Sequence, residues 1–471
     1  MMSKKIIIVA GLGYGDEGKG KIVDSFAREF ESPLVVRFGG GHQAGHNVVK
    51  PDGRWHCFAQ FGSATFVAGA RTFLSRGMCI EPNALLVENE WLKEKQVSDA
   101  LDRLAVDRQC SVITPAHKMI CQMKNIARGR KWFGSCGMGV GEAVFDRDAG
   151  RGIVIGDADD PSRLKFLLES LTARQLAVAD QLLERFPSDE MQETYDYFSP
   201  RLDTEKLAQS YREFADKVAL VNGDAYLRSA LAGGRQIIME GAQGALLDPI
   251  IGFQPYVTKT GSTFRAAERI LAGQDLKQDE IERVGVLRAY MTRHGSGPLV
   301  TEDLSLASHL PEAHNCFNEN QGEFRFGWFD LVASRYAIKA SGQTDSLAFT
   351  NIDRLSGLYE IKVCVSYEYV GSDVSSLDNY FIWKKPADKI IIEAIKPDRL
   401  PAAALDDSRL ADLLDQCRPY EWRSFDGWQE DISAATRMRE LPSAALKYLS
   451  YLEGELGITR GYYSVSPEAK K

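Results

Sequence analysis

Gly13-Tyr14-Gly15-Asp16-Glu17-Gly18-Lys19-Gly20-Lys21 is a glycine-rich turn set between an apolar run, Ile6-Ile7-Ile8-Val9-Ala10, and an amphipathic segment that ends at Phe30. The pattern reads as a strand, a turn and a helix start. Such a turn aims backbone N–H groups and a helix N-terminus at a phosphate, and Lys19 or Lys21 adds positive charge. Gly13 to Lys19 fits the start of a P-loop, but Gly20 stands where that motif takes Ser or Thr. The usual Mg²⁺ ligand is therefore missing, and Asp16, inside the loop, is the replacement. A carboxylate among phosphate-binding amides is costly unless a metal or a proton-transfer role offsets it.

The turn belongs to a chain of 471 residues, 44% hydrophobic and 26% charged, ordinary proportions for a folded enzyme. A net charge of −8 argues against a nucleic-acid footprint. No run approaches the ~18 apolar residues that span a bilayer. Lys4-Lys5 followed by Ile6–Ala10 is too short for a signal peptide and leads into the glycine-rich turn. The eight cysteines (57, 79, 110, 121, 136, 316, 364 and 417) are scattered without a Cys-x-x-Cys pair, and we expect them to be reduced. The expectation is a cytoplasmic enzyme of small molecules, without nucleic-acid or membrane partners.

Strand-like and helical runs alternate downstream. Leu34–Phe38 is expected to be a strand that opens onto a second glycine-rich loop, Gly39-Gly40-Gly41-His42-Gln43-Ala44-Gly45-His46. Apolar spacing predicts helices over 85–107, 160–186 and 202–221. Buried-type strands over 235–239, 283–290 and 346–350 run into Glu240-Gly241-Ala242-Gln243-Gly244, into Thr292–Pro298 and into Asn351-Ile352-Asp353. Chemistry-bearing loops at the carboxyl ends of strands suit an open α/β sheet. The aromatic and charged stretch 420–428 reads as packed surface, and the tail after Pro467 is expected to fray.

Taken in order, Gly15–Asp24, Val35–Phe38 with Ala44-Gly45-His46, Glu240–Gly244, Pro255-Tyr256-Val257-Thr258, Thr292-Arg293 with Gly297-Pro298, and Gly327-Trp328-Phe329-Asp330 resemble the motifs of the adenylosuccinate synthetase family. The resemblance runs from Gly11 to about Pro467. It implies an α/β fold with a large, mostly parallel central sheet flanked by helices, forming one domain over 1–471 with helical insertions near 85–107 and 160–221. It also implies a homodimer. The implied activity is that of a GTP-dependent ligase, which phosphorylates O6 of IMP and displaces it with L-aspartate. Asp16 matches the family's base, which removes the N1 proton. His46 matches the residue that donates to O6 and the moving phosphoryl group. Lys19, with Gly15, Glu17, Gly18, Gly20 and Lys21, would cradle the phosphates, and Asp16 with the Gly45 carbonyl would hold Mg²⁺.

The resemblance further implies a purine nucleotide site at Ser135, Gln243, Leu247 and Thr258, with Arg151 beside the position of the family's cross-dimer arginine. The amine site departs most. A family loop Gly-Arg-x-Arg-Arg is shortened here to Gly322-Glu323-Phe324-Arg325-Phe326, and His294 replaces a valine. An acid where a dicarboxylate needs guanidinium should weaken aspartate binding unless Arg325, Arg335 or Arg265 compensates. The alternative is a loop that has slid, with Arg325 in the old place. The guanine site keeps Asp353, has Asn351 for a lysine, and draws on Ser464, Ser466 and Pro467; GTP is favoured and ATP stays open. Two further readings stand beside the aspartate ligase. One is a paralogue that uses another amine or purine nucleotide, as do synthetases of this fold that take deoxyguanylate. The other is a nucleotide-binding regulator without catalysis, against which Asp16, Lys19 and His46 argue.

Overall fold

Every residue of Ile6–Gly11 is buried, as a strand covered on both faces requires. The structure, a computed structural model, describes residues 5–129, 135–310, 312, 317, 320–397, 408–458 and 460–466. Among them, nine strands form a parallel central sheet and are numbered here in chain order. They are β1 Ile6–Gly11, β2 Leu34–Arg37, β3 Arg71–Leu74, β4 Leu104–Asp107, β5 Ala219–Val221, β6 Ile237–Gly244, β7 Ile281–Arg288, β8 Ser346–Thr350 and β9 Arg460–Tyr463. Their spatial order is β9-β8-β7-β1-β6-β2-β3-β4-β5. The chain leaves β1 for β2, works outward to β5, returns to insert β6 beside β1, and crosses to β7 on the other side. The winding thus reverses at β1, and loops beyond its carboxyl end face a crevice.

The two faces of β1 enter different cores. Ile6, Ile8 and Ala10 join Met239, Phe253 and Phe264, whereas Ile7 and Val9 lie with Ile22, Val23 and Phe26 of helix Lys19–Ala27. Val9 pairs with Glu240 but Gly11 pairs with Gly244, so β6 bulges between them. Gln243 sits in that bulge at φ 56°, lifted out of the ladder.

Two of the expected helices end early. Within 85–107 the helix is Pro82–Glu94, and Leu104–Asp107 is strand β4; within 202–221 the helix is Thr204–Lys217, and Ala219–Val221 is strand β5. A three- or four-residue apolar run looks like the last turn of an amphipathic helix, and periodicity alone does not separate them. Helix Pro161–Arg185 matches the expected 160–186, and with Pro115–Arg128, Asp189–Phe198 and Thr204–Lys217 it buries a core around Met119, Leu168 and Phe198. Among the described residues no helix is long and apolar enough to cross a membrane.

A second sheet combines Phe329–Asp330, Glu360–Tyr369, Phe381–Lys384, Ile390–Ile395 and Cys417–Asp426, which takes in most of the stretch 420–428. Asp330 ties this sheet to helix Leu331–Ser341. Its Oδ1 accepts from the Ala333 amide at 3.0 Å, and the Tyr367 hydroxyl donates to both carboxylate oxygens at 2.7 and 2.6 Å. Burial pushes the Asp330 carboxyl up to about 6, against the pull of those donors. The neutral acid is the form that the fold favours. Stability from this group is complete below the unfolded value near 3.8 and is lost as pH rises through about 6. Relative to Asp330→Asn, the wild type should lose up to about 3 kcal/mol across that window in denaturant titrations. A difference independent of pH would contradict this.

Candidate active site

The turn between β1 and helix Lys19–Ala27 folds around a carboxylate of its own. Glu17 Oε1 accepts from the amides of Gly13 (3.0 Å) and Gly15 (2.7 Å). Its Oε2 meets Lys19 Nζ at 2.7 Å, and that ammonium also donates to the Gly15 carbonyl at 2.6 Å. Both side chains are buried. Glycine is needed around them, because a Cβ at Gly11 would sit 2.2 Å from Glu17 Oε2 and one at Gly244 would sit 2.2 Å from the Gly13 oxygen. The Glu17 carboxylate, named among the phosphate-loop residues, is thus held by two loop amides and by Lys19, whose ammonium is turned inward with it. Gly18, at φ 78°, heads the helix without a side-chain cap. Gly20 has a packing reason. A Cβ there would lie 2.9 Å from both His46 Cβ and Ser63 Oγ, which excludes a P-loop hydroxyl.

Tyr14, Gly15 and Asp16 form one wall of a cavity of about 1170 Å³, which Gln43–Asn47, Ser135, Gln243, Leu247, Thr258, Arg293 and His294 also line. Asp16 makes no hydrogen bond to any described residue. Burial raises its carboxyl above the usual range and Glu17 reinforces this, while Arg288, His294 and Lys19 pull against it. His46 opens a hairpin, His46–Val49 with Trp55–Phe58. Its Nδ1 lies 2.5 Å from Oε1 of Glu240, which is fully buried on β6. Burial and Arg37 lower the imidazole to about 4, although Glu240 opposes them. Burial lifts the Glu240 carboxyl, but Arg37, His46 and Ser63 outweigh it and hold it at about 2. An ionised Glu240 therefore faces a neutral ring whose Nδ1 carries the proton.

The structure brings the purine candidates Ser135, Gln243, Leu247 and Thr258 into this cavity, but not Arg151. Arg151 donates to Asp146 Oδ1 at 2.8 Å and stacks on Phe145. Of the amine candidates only His294 lines the cavity; Gly322, Glu323 and Arg325 do not. Glu323 is exposed. The Arg325 guanidinium is engaged by Glu302 (Nε to Oε1, 2.9 Å) and by the carbonyls of Gly295 (3.0 Å) and Gly297 (2.8 Å). Arg335 pairs with Glu455, and Arg265 lies against Gly342; neither reaches the cavity. The guanine candidates gather separately beyond β8 and β9. Lys21 donates to Ser464 Oγ and the Ser466 carbonyl, and Asn351, at φ 56°, has its amide turned so that Oδ1 accepts from Arg288. Burial raises the carboxyl of Asp353 despite Lys21 nearby. Pro467, the tail beyond it and Cys316 lie outside the described residues.

Sequence reasoning missed Glu240, Ser63, Gln43 and Asn47 as site residues. Glu240 lay in a quoted motif, but its contact with His46 spans 194 positions, which no local pattern reports. Gln43 Oε1, Asn47 Oδ1 and Gln243 Oε1 are buried without a hydrogen-bond partner among the described residues. Native interiors rarely leave such acceptors unmet, and all three residues border the same cavity. Polar side chains in a second glycine-rich loop were the available signal.

A model of the adenylosuccinate synthetase family matches residues 8–397. The adenylosuccinate synthetase of Bacillus subtilis is 31% identical over 466 residues, covering 98% of this chain and 96% of that one. That of Salinibacter ruber is 31% identical over 474 residues, with coverage of 98% and 96%. Among solved structures, a fully ligated adenylosuccinate synthetase from Plasmodium falciparum superposes with TM-score 0.78 at 24% identity, over 99% of this chain and 98% of that one. A cyanophage S-2L succinoaminodeoxyadenylate synthetase, bound to dGMP and to dATP as an energy donor, gives TM-score 0.52 at 20% identity over 75% and 86%. At these identities the two structures speak for the fold. With the motif order, the sheet built around β1 and relatives matched over nearly their whole length, the chain belongs to the adenylosuccinate synthetase family of ligases.

Proposed function

We propose that this ligase phosphorylates O6 of a 6-oxopurine nucleotide with GTP and lets an amine displace the phosphate, IMP and L-aspartate being the first substrates to test. The observation that carries the reading is the convergence of Asp16, His46 and the unpartnered acceptor of Gln243 on one cavity. Oxygen at C6 is a poor leaving group until it is phosphorylated. Asp16, raised by burial and without a hydrogen bond of its own, is suited to take the N1 proton and make O6 nucleophilic. Gln243 can accept from a purine N–H. His46 Nε2 donates to O6 only when the ring carries both protons, a state that the charge of an incoming phosphoryl group favours and that ionised Glu240 supports.

Asp16 and Gly45 both border the cavity, and a carboxylate with a carbonyl is a donor set that suits Mg²⁺ completed by nucleotide phosphates. Among the described residues no group of three or more His, Cys, Asp or Glu offers an all-protein cage. Bound there, Mg²⁺ would neutralise phosphate charge. Asp353 favours guanine, whose N–H groups it can accept from; the dATP bound to the cyanophage synthetase makes ATP the comparison to run. A homodimer follows the family.

A second reading, a paralogue with another amine donor, is favoured by Arg325 being held by Glu302 outside the cavity. A phosphate-release screen that crosses IMP, GMP and their deoxy forms with aspartate and other amines, under GTP and ATP, tests both. No release from any combination would contradict the ligase reading.

Asp16→Asn keeps size and loses basicity, so kcat should fall by ~10²–10⁴-fold while nucleotide affinity stays within a few-fold. Activity within tenfold of wild type would remove Asp16 from the mechanism. For the amine, Glu302→Gln should release Arg325 and lower the aspartate KM by about tenfold, the worth of one charge-assisted hydrogen bond. Glu323→Ala should leave that KM nearly unchanged. An unchanged KM in Glu302→Gln, with aspartate already used efficiently, would retire the paralogue reading.

A further inference from the structure

Glu240 has both carboxylate oxygens occupied by fixed donors. Oε1 meets His46 Nδ1 at 2.5 Å and accepts from Ser63 Oγ, while Oε2 accepts from the Ser63 amide at 3.0 Å. Its neighbour across the ladder is Arg37 of β2, in direct register, wholly buried, with Nη1 donating to the Phe61 carbonyl at 2.9 Å. A positive charge that cannot reach water stands beside Glu240 and keeps it an acceptor. On the other side of His46, Gly20 leaves no room for a Cβ, so the ring is seated between the phosphate helix and β6. Nε2 makes no hydrogen bond among the described residues, and His46 lines the cavity.

We propose that Glu240, seconded by Ser63, is the positioning residue that fixes the tautomer and orientation of His46, so that Nδ1 carries the proton facing Glu240 and Nε2, presented to the substrate, is the atom that bears the second proton when the ring becomes cationic. The proposal rests on the reading above, in which His46 acts at O6. An acceptor-only carboxylate forces the Nδ1–H form. An amide in its place must either turn its NH₂ against the Ser63 N–H or offer it to Nδ1, and the second arrangement moves the ring proton to Nε2. Buried acids behind catalytic histidines act in this way on unrelated folds.

The test is a double-mutant cycle with a spectroscopic readout, using the nucleotide pair that supports phosphate release. Because a neutral amide no longer supports the cationic ring, Glu240→Gln should lower kcat roughly a hundredfold or more with the nucleotide KM within threefold, and should cost nothing further in a His46→Ala background. The ¹⁵N signals of the His46 ring should show Nδ1 protonated in the wild type and Nε2 protonated in Glu240→Gln. Equal losses in both backgrounds, or an unchanged ring tautomer, would overturn the proposal and mark Glu240 as structural. A costly His46→Ala with a harmless Glu240→Gln would overturn it while leaving the function intact. A harmless His46→Ala would instead remove the reading on which it rests. If Glu240→Gln does not fold, Ser63→Ala deletes one donor only, and a three- to tenfold loss of kcat that vanishes in the His46→Ala background is expected; additive losses overturn the proposal.

Discussion

A buried carboxylate inside a turn of glycines has to be met by donors, and Glu17 is met by the amides of Gly13 and Gly15 and by Lys19. The remainder of the site is built on that arrangement. The glycines at 11, 13 and 244 give the carboxylate its space, the Glu17 carbonyl receives Thr350 Oγ1 from β8 at 2.6 Å, and the Leu246 amide reaches the Gly13 carbonyl at 3.0 Å. Strands β1, β6 and β8 are thereby locked to one loop. Asp16, between two anchored neighbours, is left as the loop's unpaired acid facing the cavity.

The second constraint is the close approach of helix Lys19–Ala27 to the hairpin that carries His46. Gly20 allows it, and the loss of a hydroxyl ligand is its chemical consequence. A site built this way needs an acid elsewhere to approach a metal and a fixed orientation for the histidine that takes the vacated space. In the proposed function Asp16 answers the first need and Glu240 the second. The buried charges alternate: Arg37, Glu240 and then a neutral imidazole, an order in which each group sets the state of the next. Removing one member of such a set leaves its neighbour unpaired in a dry environment, where the cost is greatest.

Much of the fold was legible because it rests on local signals. The uninterrupted apolar run at 6–10, the glycines that follow it and the strand-like runs expected from 34, 235, 283 and 346 mark buried strands, and the loops after them line the cavity or carry the guanine candidates. Strands β4 and β5 were not legible, since Leu104–Asp107 and Ala219–Val221 follow amphipathic helices and are too short to declare their own period. Asp16, His46, Gln243 and Thr258, which line the cavity, could be singled out because their motifs are contiguous. The pairing of Glu17 with Lys19 was not legible, because composition shows that a charge is present but not which way it turns. Arg325 was equally ambiguous: only the three-dimensional placement of Glu302 and of the carbonyls at 295 and 297 shows where its guanidinium is held.

The central claim is that O6 of a purine is activated by phosphorylation in the cavity between Asp16 and His46. The most direct measurement is isotope transfer. A 6-oxopurine nucleotide labelled with ¹⁸O at C6 is turned over with the amine that supports phosphate release, and the released phosphate is analysed by mass spectrometry. The account predicts one ¹⁸O in each phosphate released. Label retained on the purine, or phosphate carrying oxygen only from water, would contradict it.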